Sequence, residues 1–277
     1  MNPFSLRPIV LLLTALLAIR GYAAQPATVP DPARVQAIAA WLPTHPCGMG
    51  EPLTNRAAWD KLSASHPELA ETLTNAAKVA AEPLGPQRDD LYLEFSRNGN
   101  RERWQDAEFP RRDRIGLFTM AECLENQGRF LAPLEQAIAA LCAERTWVYS
   151  AHDHDLKNFH GEIAEVDLGT ATLACELATA DYLLGNKLSP ATRRLIRDNV
   201  ERRVFAPYRR AVGGKDTTYY WFWIHGNSNW NAVCEKGVIG AALALLDRPE
   251  DRAWFVAVAE KNIGYYLGGF NPDGYCG

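Results

Sequence analysis

The sequence predicts an all-α protein of paired helices, on three observations. From Arg111 onward, apolar residues recur at three- and four-residue spacing almost without a break. The connections are short and carry helix stops and starts, such as Gly128, Gly185-Asn186 and Ser189-Pro190. The run from Ala232 to Leu246 is rich in small residues, with Gly237 and Gly240 inside it, as suits a helix buried on most faces. Helical hairpins of this kind close into an α/α toroid, whose inner helices are small-residue-rich and whose loops at one end carry the chemistry.

The N-terminus reads as an export signal over residues 1–24: a short basic start to Arg7, an apolar core from Ile9 to Ile19, then Gly21-Tyr22-Ala23-Ala24 for cleavage. That core is too short for a membrane span. The expected location is therefore periplasmic or secreted, with no membrane association after cleavage. Residues 25–110 form an N-terminal helical segment. Pro32 to Leu42 reads as its first helix, and Thr54 to Ala81 as helix interrupted at His66-Pro67. Leu84 to Phe109 has no clear rhythm, and Leu91 to Phe95 reads as a brief strand or extended piece within an insertion.

The helical domain proper is expected over 111–277. Its predicted helices are Arg114 to Asn126, Phe130 to Thr146, Glu162 to Leu184, and one from Pro190 ended by Pro207. A polar loop, Ser150 to His160, separates the second and third. Arg193, Arg194, Arg197, Arg202 and Arg203 read as a solvated face of the fourth. After the inner helix, a last one carries Trp254, Phe255, Val258, Ile263 and Tyr266 and stops at Gly268-Gly269.

The 277 residues carry a net charge of −4, which argues against a nucleic-acid partner. Six cysteines, at 47, 123, 142, 175, 234 and 276, are widely spaced with no CxxC pair, which argues against a zinc site. Cys175 and Cys234 lie in apolar helical contexts and read as buried thiols; the sequence leaves the pairing of the others open. His152-Asp153-His154-Asp155, with His160 and Glu162, contains metal-ligand types but no helical ligand motif. We expect no metal and no cofactor there, and read His152 as touching polymer at a cleft rim.

The densest chemistry lies just before the inner helix. Tyr219, Tyr220, Trp221, Phe222 and Trp223 lead into His225-Gly226-Asn227-Ser228-Asn229, then Trp230 and Asn231. Aromatic faces stack on sugar rings, and amides and imidazole make directional hydrogen bonds, so the stretch suits a sugar cleft. Asn229 and His225 are the candidate catalytic residues. Tyr220, Trp221, Trp223, Asn227, Trp230 and Asn231 are the candidate substrate contacts. Alternatively, Ser228 or Asn229 caps the helix and the aromatics are core.

The segment Glu162-Ile163-Ala164-Glu165-Val166-Asp167-Leu168, the run Asn229-Trp230-Asn231-Ala232-Val233-Cys234, and the ending Phe270-Asn271-Pro272-Asp273-Gly274 resemble the heparinase II/III-like and alginate lyase-like polysaccharide lyases. The resemblance covers Arg111 to Gly277. It implies an incomplete α/α toroid followed by a β-sandwich, and β-elimination on an acidic, uronate-containing polysaccharide such as heparan sulfate or alginate. The family's carboxylate-contacting Asn falls on Asn229. Its catalytic Tyr follows the Pro-Asp-Gly turn, and its further His residues lie in the sandwich. The expectation is therefore a chain truncated before both, and inactive as it stands. Two other readings remain open: a toroidal glycoside hydrolase using two of Glu162, Glu165, Asp167 and Glu235, and a non-catalytic glycan-binding domain.

Overall fold

The structure, a computed structural model, describes residues 27–216 and 218–274. The expected export signal, Tyr275 and Cys276 lie outside the described residues. All the regular structure described is helical, with no strand among the described residues. No described helix is long and apolar enough to cross a membrane.

Three helices lead in: α1 (Pro32–Ala39), α2 (Arg56–Ser65) and α3 (Ala70–Ala81). Asp31 caps α1, with proline at its start, as the N-terminal signals require. A 3-10 turn at Pro67–Leu69 separates α2 from α3, where the proline predicted an interruption.

The next stretch departs from expectation. Leu91 to Phe95 is not extended: it belongs to two short helices, α4 (Asp89–Tyr92) and α5 (Glu94–Asn98). The following helix, α6, starts not at Arg114 but at Glu102, and runs to Glu125 through Pro110. An interior proline removes one backbone hydrogen bond and normally ends a helix. Here buried ion pairs, two within the helix and one to Glu144, accompany the continuation. Arg111 reaches Glu108 (3.1 Å) and Glu144 (2.9 Å), and Arg112 reaches Glu108 (2.8 Å), all buried. Such charges give no apolar stripe, so the rhythm was hidden in the sequence.

α7 (Leu131–Cys142) pairs with α6. A single short turn, α8 (Lys157–His160), sits in the polar loop. The helix predicted from Glu162 begins later, as α9 (Leu168–Leu184), because Asp167 takes the cap and accepts from the Thr170 amide at 2.7 Å. Residues 162–167 are non-helical. Glu165 N–H donates to Asn158 Oδ1 (2.9 Å), and the Val166 carbonyl accepts from Trp223 Nε1 (2.8 Å).

α10 (Pro190–Val200) does not stop at Pro207. It passes through a π-helical turn, Glu201–Phe205, into α11 (Ala206–Val212), where Pro207 occupies the tolerated first turn. The arginine face is only partly solvated. Arg193 and Arg197 pair with buried Asp181 (2.6 and 3.0 Å), and Arg203 is itself buried.

A 3-10 segment, Tyr219–His225, delivers the chain into α12 (Asn229–Leu245), and α13 (Pro249–Leu267) follows. α12 packs most extensively on α9 and then on α13. A Cβ on Gly237 would lie 2.5 Å from the Ala171 carbonyl oxygen, so only glycine permits this approach of α12 to α9. The main core gathers around this pair, with Trp147, Phe118, Phe205, Phe255, Trp221 and Trp223. Cys175 and Cys234 are buried free thiols there, and Cys47, Cys123 and Cys142 are free as well.

Candidate functional site

The first turn of α12, the 3-10 segment before it and the 150–167 region meet at Trp230. The His152 ring lies 4.5 Å from the Trp230 ring centroid, and Phe222 lies 5.1 Å from it on the same half-buried indole. His152 Nδ1 is 2.7 Å from Asp167 Oδ2. Asp167 is fully buried, and its carboxylate also accepts from the amides of Tyr149 (3.0 Å) and Thr170 (2.7 Å). Burial alone would raise its pKa. The His152 contact and these amides outweigh it and hold the carboxyl below its usual range. An ionised, acceptor-only partner assigns a proton to His152 Nδ1. The imidazole keeps 18% side-chain exposure, enough for contact with a ligand.

Asn229 opens α12 and is exposed; its amide makes no hydrogen bond among the described residues. Ser228 holds the N-cap position without making a side-chain cap. The first-turn N–H groups therefore lack side-chain acceptors from the cap, and the positive end of the helix dipole lies beside the free Asn229 amide. Asn227 is exposed next to it. Tyr220 is half-buried, and its hydroxyl donates to Asp155, which also pairs with Lys157 at 2.9 Å. This ties the aromatic segment to the polar loop.

Other predicted residues go elsewhere. Trp221 and Trp223 are core, at 2% and 0% exposure, and cannot stack on a sugar. Trp223 is stacked on Tyr208 instead. Asn231 is sealed: its amide donates to the carbonyls of Trp223 (3.0 Å), Ile224 (3.0 Å) and Asn262 (3.2 Å). His225 is half-buried and edge-on to Tyr265, with both ring nitrogens buried and unpartnered. Burial, then Lys261, lowers its pKa. These positions correct the sequence reading of Trp221, Trp223 and Asn231 as substrate contacts, and of His225 as an accessible acid/base.

The rest of the His152 loop diverges. Asp153 is buried and accepts from the Tyr92 hydroxyl (3.0 Å) and the amides of Asn158 and Phe159. The His154 ring lies 5.5 Å from Phe95. Of the four carboxylates weighed for hydrolysis, only Glu162 is exposed. Glu165 is buried against Asn158, and burial followed by Asp167 pushes its carboxyl up to about 9. Glu235 accepts from the Tyr208 hydroxyl (2.8 Å) and Asn262 Nδ2 (2.8 Å), and burial pushes it to about 7.

Asp167 stood among the carboxylates weighed for hydrolysis; its pairing with His152 is what the sequence does not show. Its helix-capping signal, Asp167 followed by Thr170 and an apolar run, lies within the span predicted as helix from Glu162, six residues before α9 begins. No protein-family model and no curated protein matches this chain.

Proposed function

We propose that this chain is the helical part of an exported lyase that cuts uronate-containing polysaccharides by β-elimination. The observation that carries this reading is the His152–Asp167 pair packed on Trp230, beside the free Asn229 amide at the uncapped start of α12. In this reading the hairpins belong to an incomplete α/α toroid, and the complete enzyme continues into a β-sandwich, as the family resemblance implies.

The chemistry follows from the donors. The proton beside an ionised uronate carboxylate is weakly acidic, because its removal piles negative charge next to one already there. The Asn229 amide supplies two uncharged donors, and the α12 N-terminus adds a positive dipole end. Preorganised donors of this kind contribute about 3 kcal/mol each to such a transition state. Trp230 and Phe222 offer faces for the sugar ring. His152 Nε2 takes the C5 proton, the C–H electron pair forms the C4–C5 double bond, and the C4–O bond breaks. The imidazolium returns its proton to the leaving oxygen, with Asp167 stabilising the cation in between. Tyr220 is a poorer base here, since burial and Asp155 raise its pKa.

The test supplies heparan sulfate, alginate and other uronate polymers to the protein, and to the chain with any coding sequence that follows residue 277. The expected product is an unsaturated uronate, read by its ultraviolet absorbance. Reducing ends without that absorbance on every polymer tried would establish hydrolysis instead. Saturable binding without either product would leave a glycan-binding module.

A further inference from the structure

Residues 161–165 form one wall of a cavity of about 310 Å³. Arg145, Arg202, Arg203 and Arg210 all line it. Four guanidinium groups around one small cavity repel each other unless something negative sits among them.

The local carboxyl groups do little to balance that charge. Arg203 is 8% exposed and pairs with no carboxylate; its guanidinium donates to the backbone carbonyls of Cys142, Glu144 and Arg145. Burial, then the neighbouring Arg202, pulls its pKa down to about 10, as expected for a cation short of counter-charge. Arg202 meets only the neutral Asn199 side chain, at 2.9 Å. Arg210 is exposed and makes no side-chain hydrogen bond or ion pair among the described residues. Arg145 is the exception, pairing with Asp89 at 3.0 Å. Two glutamates also line the cavity. Glu162 is exposed, and Glu165 is held protonated near neutral pH.

A second, independent observation points the same way. Thr170 lines the cavity at 1% exposure, and its hydroxyl is buried with no hydrogen-bond partner. A buried hydroxyl left unpaired costs about 1–3 kcal/mol. The π-helical turn Glu201–Phe205 carries Arg202 and Arg203, and such turns occur often at functional sites.

We propose that this cavity, whose lining includes neither Trp230 nor His152, binds a tetrahedral oxyanion, a sulfate or phosphate ester on a group of about one sugar ring. Guanidinium forks match such oxygens bidentately, and the Thr170 hydroxyl and protonated Glu165 carboxyl supply uncharged donors. The volume lies at the low end of small-ligand pockets, about 300–1,000 Å³, which suits one ring and its ester. This assignment does not depend on the elimination chemistry.

Calorimetric titration of the full chain with inorganic sulfate, phosphate and acetate, at constant ionic strength, tests it. Sulfate and phosphate are expected to bind saturably and more tightly than acetate. The double variant R202A/R210A should weaken them by about tenfold or more while melting unchanged in anion-free buffer, since Arg210 holds no partner among the described residues and the Asn199 oxygen that Arg202 meets keeps a second donor in Arg203. The isosteric Thr170→Val should weaken them by about threefold with no loss of melting temperature, because the hydroxyl has no partner to lose. Absence of saturable binding, undiminished binding in either variant, or acetate binding as tightly as sulfate would overturn the proposal.

Discussion

Two polar clusters flank α12, and they differ in what they leave open. Around Asn231, Glu235, Tyr208 and Asn262, the amide nitrogen of Asn231 and both Glu235 oxygens are engaged by protein groups, and all four residues are buried. Around Asn229, Trp230 and His152, the buried partner is fully engaged, but the amide, the indole and an imidazole edge are left to solvent. Asn229 and Asn231 are two residues apart, about 200° around a helix, and so face opposite ways. The first cluster is spent on holding the fold, whereas the second keeps polar and aromatic groups facing solvent.

The sharpest way to break that contrast is to truncate both amides. Asn229→Ala should reduce turnover on a susceptible uronate polymer by on the order of 10²–10³, the usual loss for one preorganised donor. Its unfolding free energy should stay within about 0.5 kcal/mol of the parent. Asn231→Ala should do the reverse in kind, costing about 2–4 kcal/mol of stability in urea unfolding by removing three buried hydrogen bonds. Equal stability losses in the two variants would erase the distinction.

Asp167→Asn sharpens it from the other side. Losing the charge that orients His152 should lower turnover by about 10–100-fold, as for other orienting partners. Asparagine keeps the helix cap, so losing the charged acceptor for His152 and the Tyr149 amide should cost about 1–2 kcal/mol in the same unfolding assay. A variant with full turnover would remove His152 from the chemistry.

The smallest effect concerns pH. The folded pKa of Glu235, about 7, stands above its ordinary value, so the folded state binds more protons between the two. Its stabilising contribution is thus complete at low pH and is lost as pH rises through about 7. Glu235→Gln keeps an acceptor for Asn262 and Tyr208 without the charge. It should be more stable than the parent by about 1–2 kcal/mol at pH 8, with the difference vanishing by pH 4. Asp167 runs the opposite way: its depressed pKa makes its contribution complete at neutral pH and lost on acidification. A parent protein whose stability is flat from pH 5 to 8 would remove the inner charge from the comparison.

How much of this was legible in the sequence depended on the kind of signal. Apolar rhythm and capping residues identified α1, α7 and α12 to within a few residues, and the start of α10, because burial of one face writes itself into spacing. The same rule failed at α6, where buried arginines and glutamates replace the apolar stripe, and at Pro110, whose penalty the chain accepts. In the candidate site, Asn229, Asn227 and Trp230 are open to solvent where the sequence pointed. Trp221, Trp223, Asn231 and His225 were drawn in by adjacency alone. Exposure is set by which side of a turn faces α9 and α13, and a run of aromatics does not encode that. The pairing of His152 with Asp167 spans fifteen residues and a loop, with no local pattern to announce it.

The glycine contact between α12 and α9 reaches further than packing. With two backbones pressed together at Gly237 and Ala171, neither helix can slide along the other to suit a different ligand. Any divergence in ligand preference among descendants of this chain must therefore come from the rims, through the 150–160 loop and the 219–225 turn, while the axle they mount on stays put.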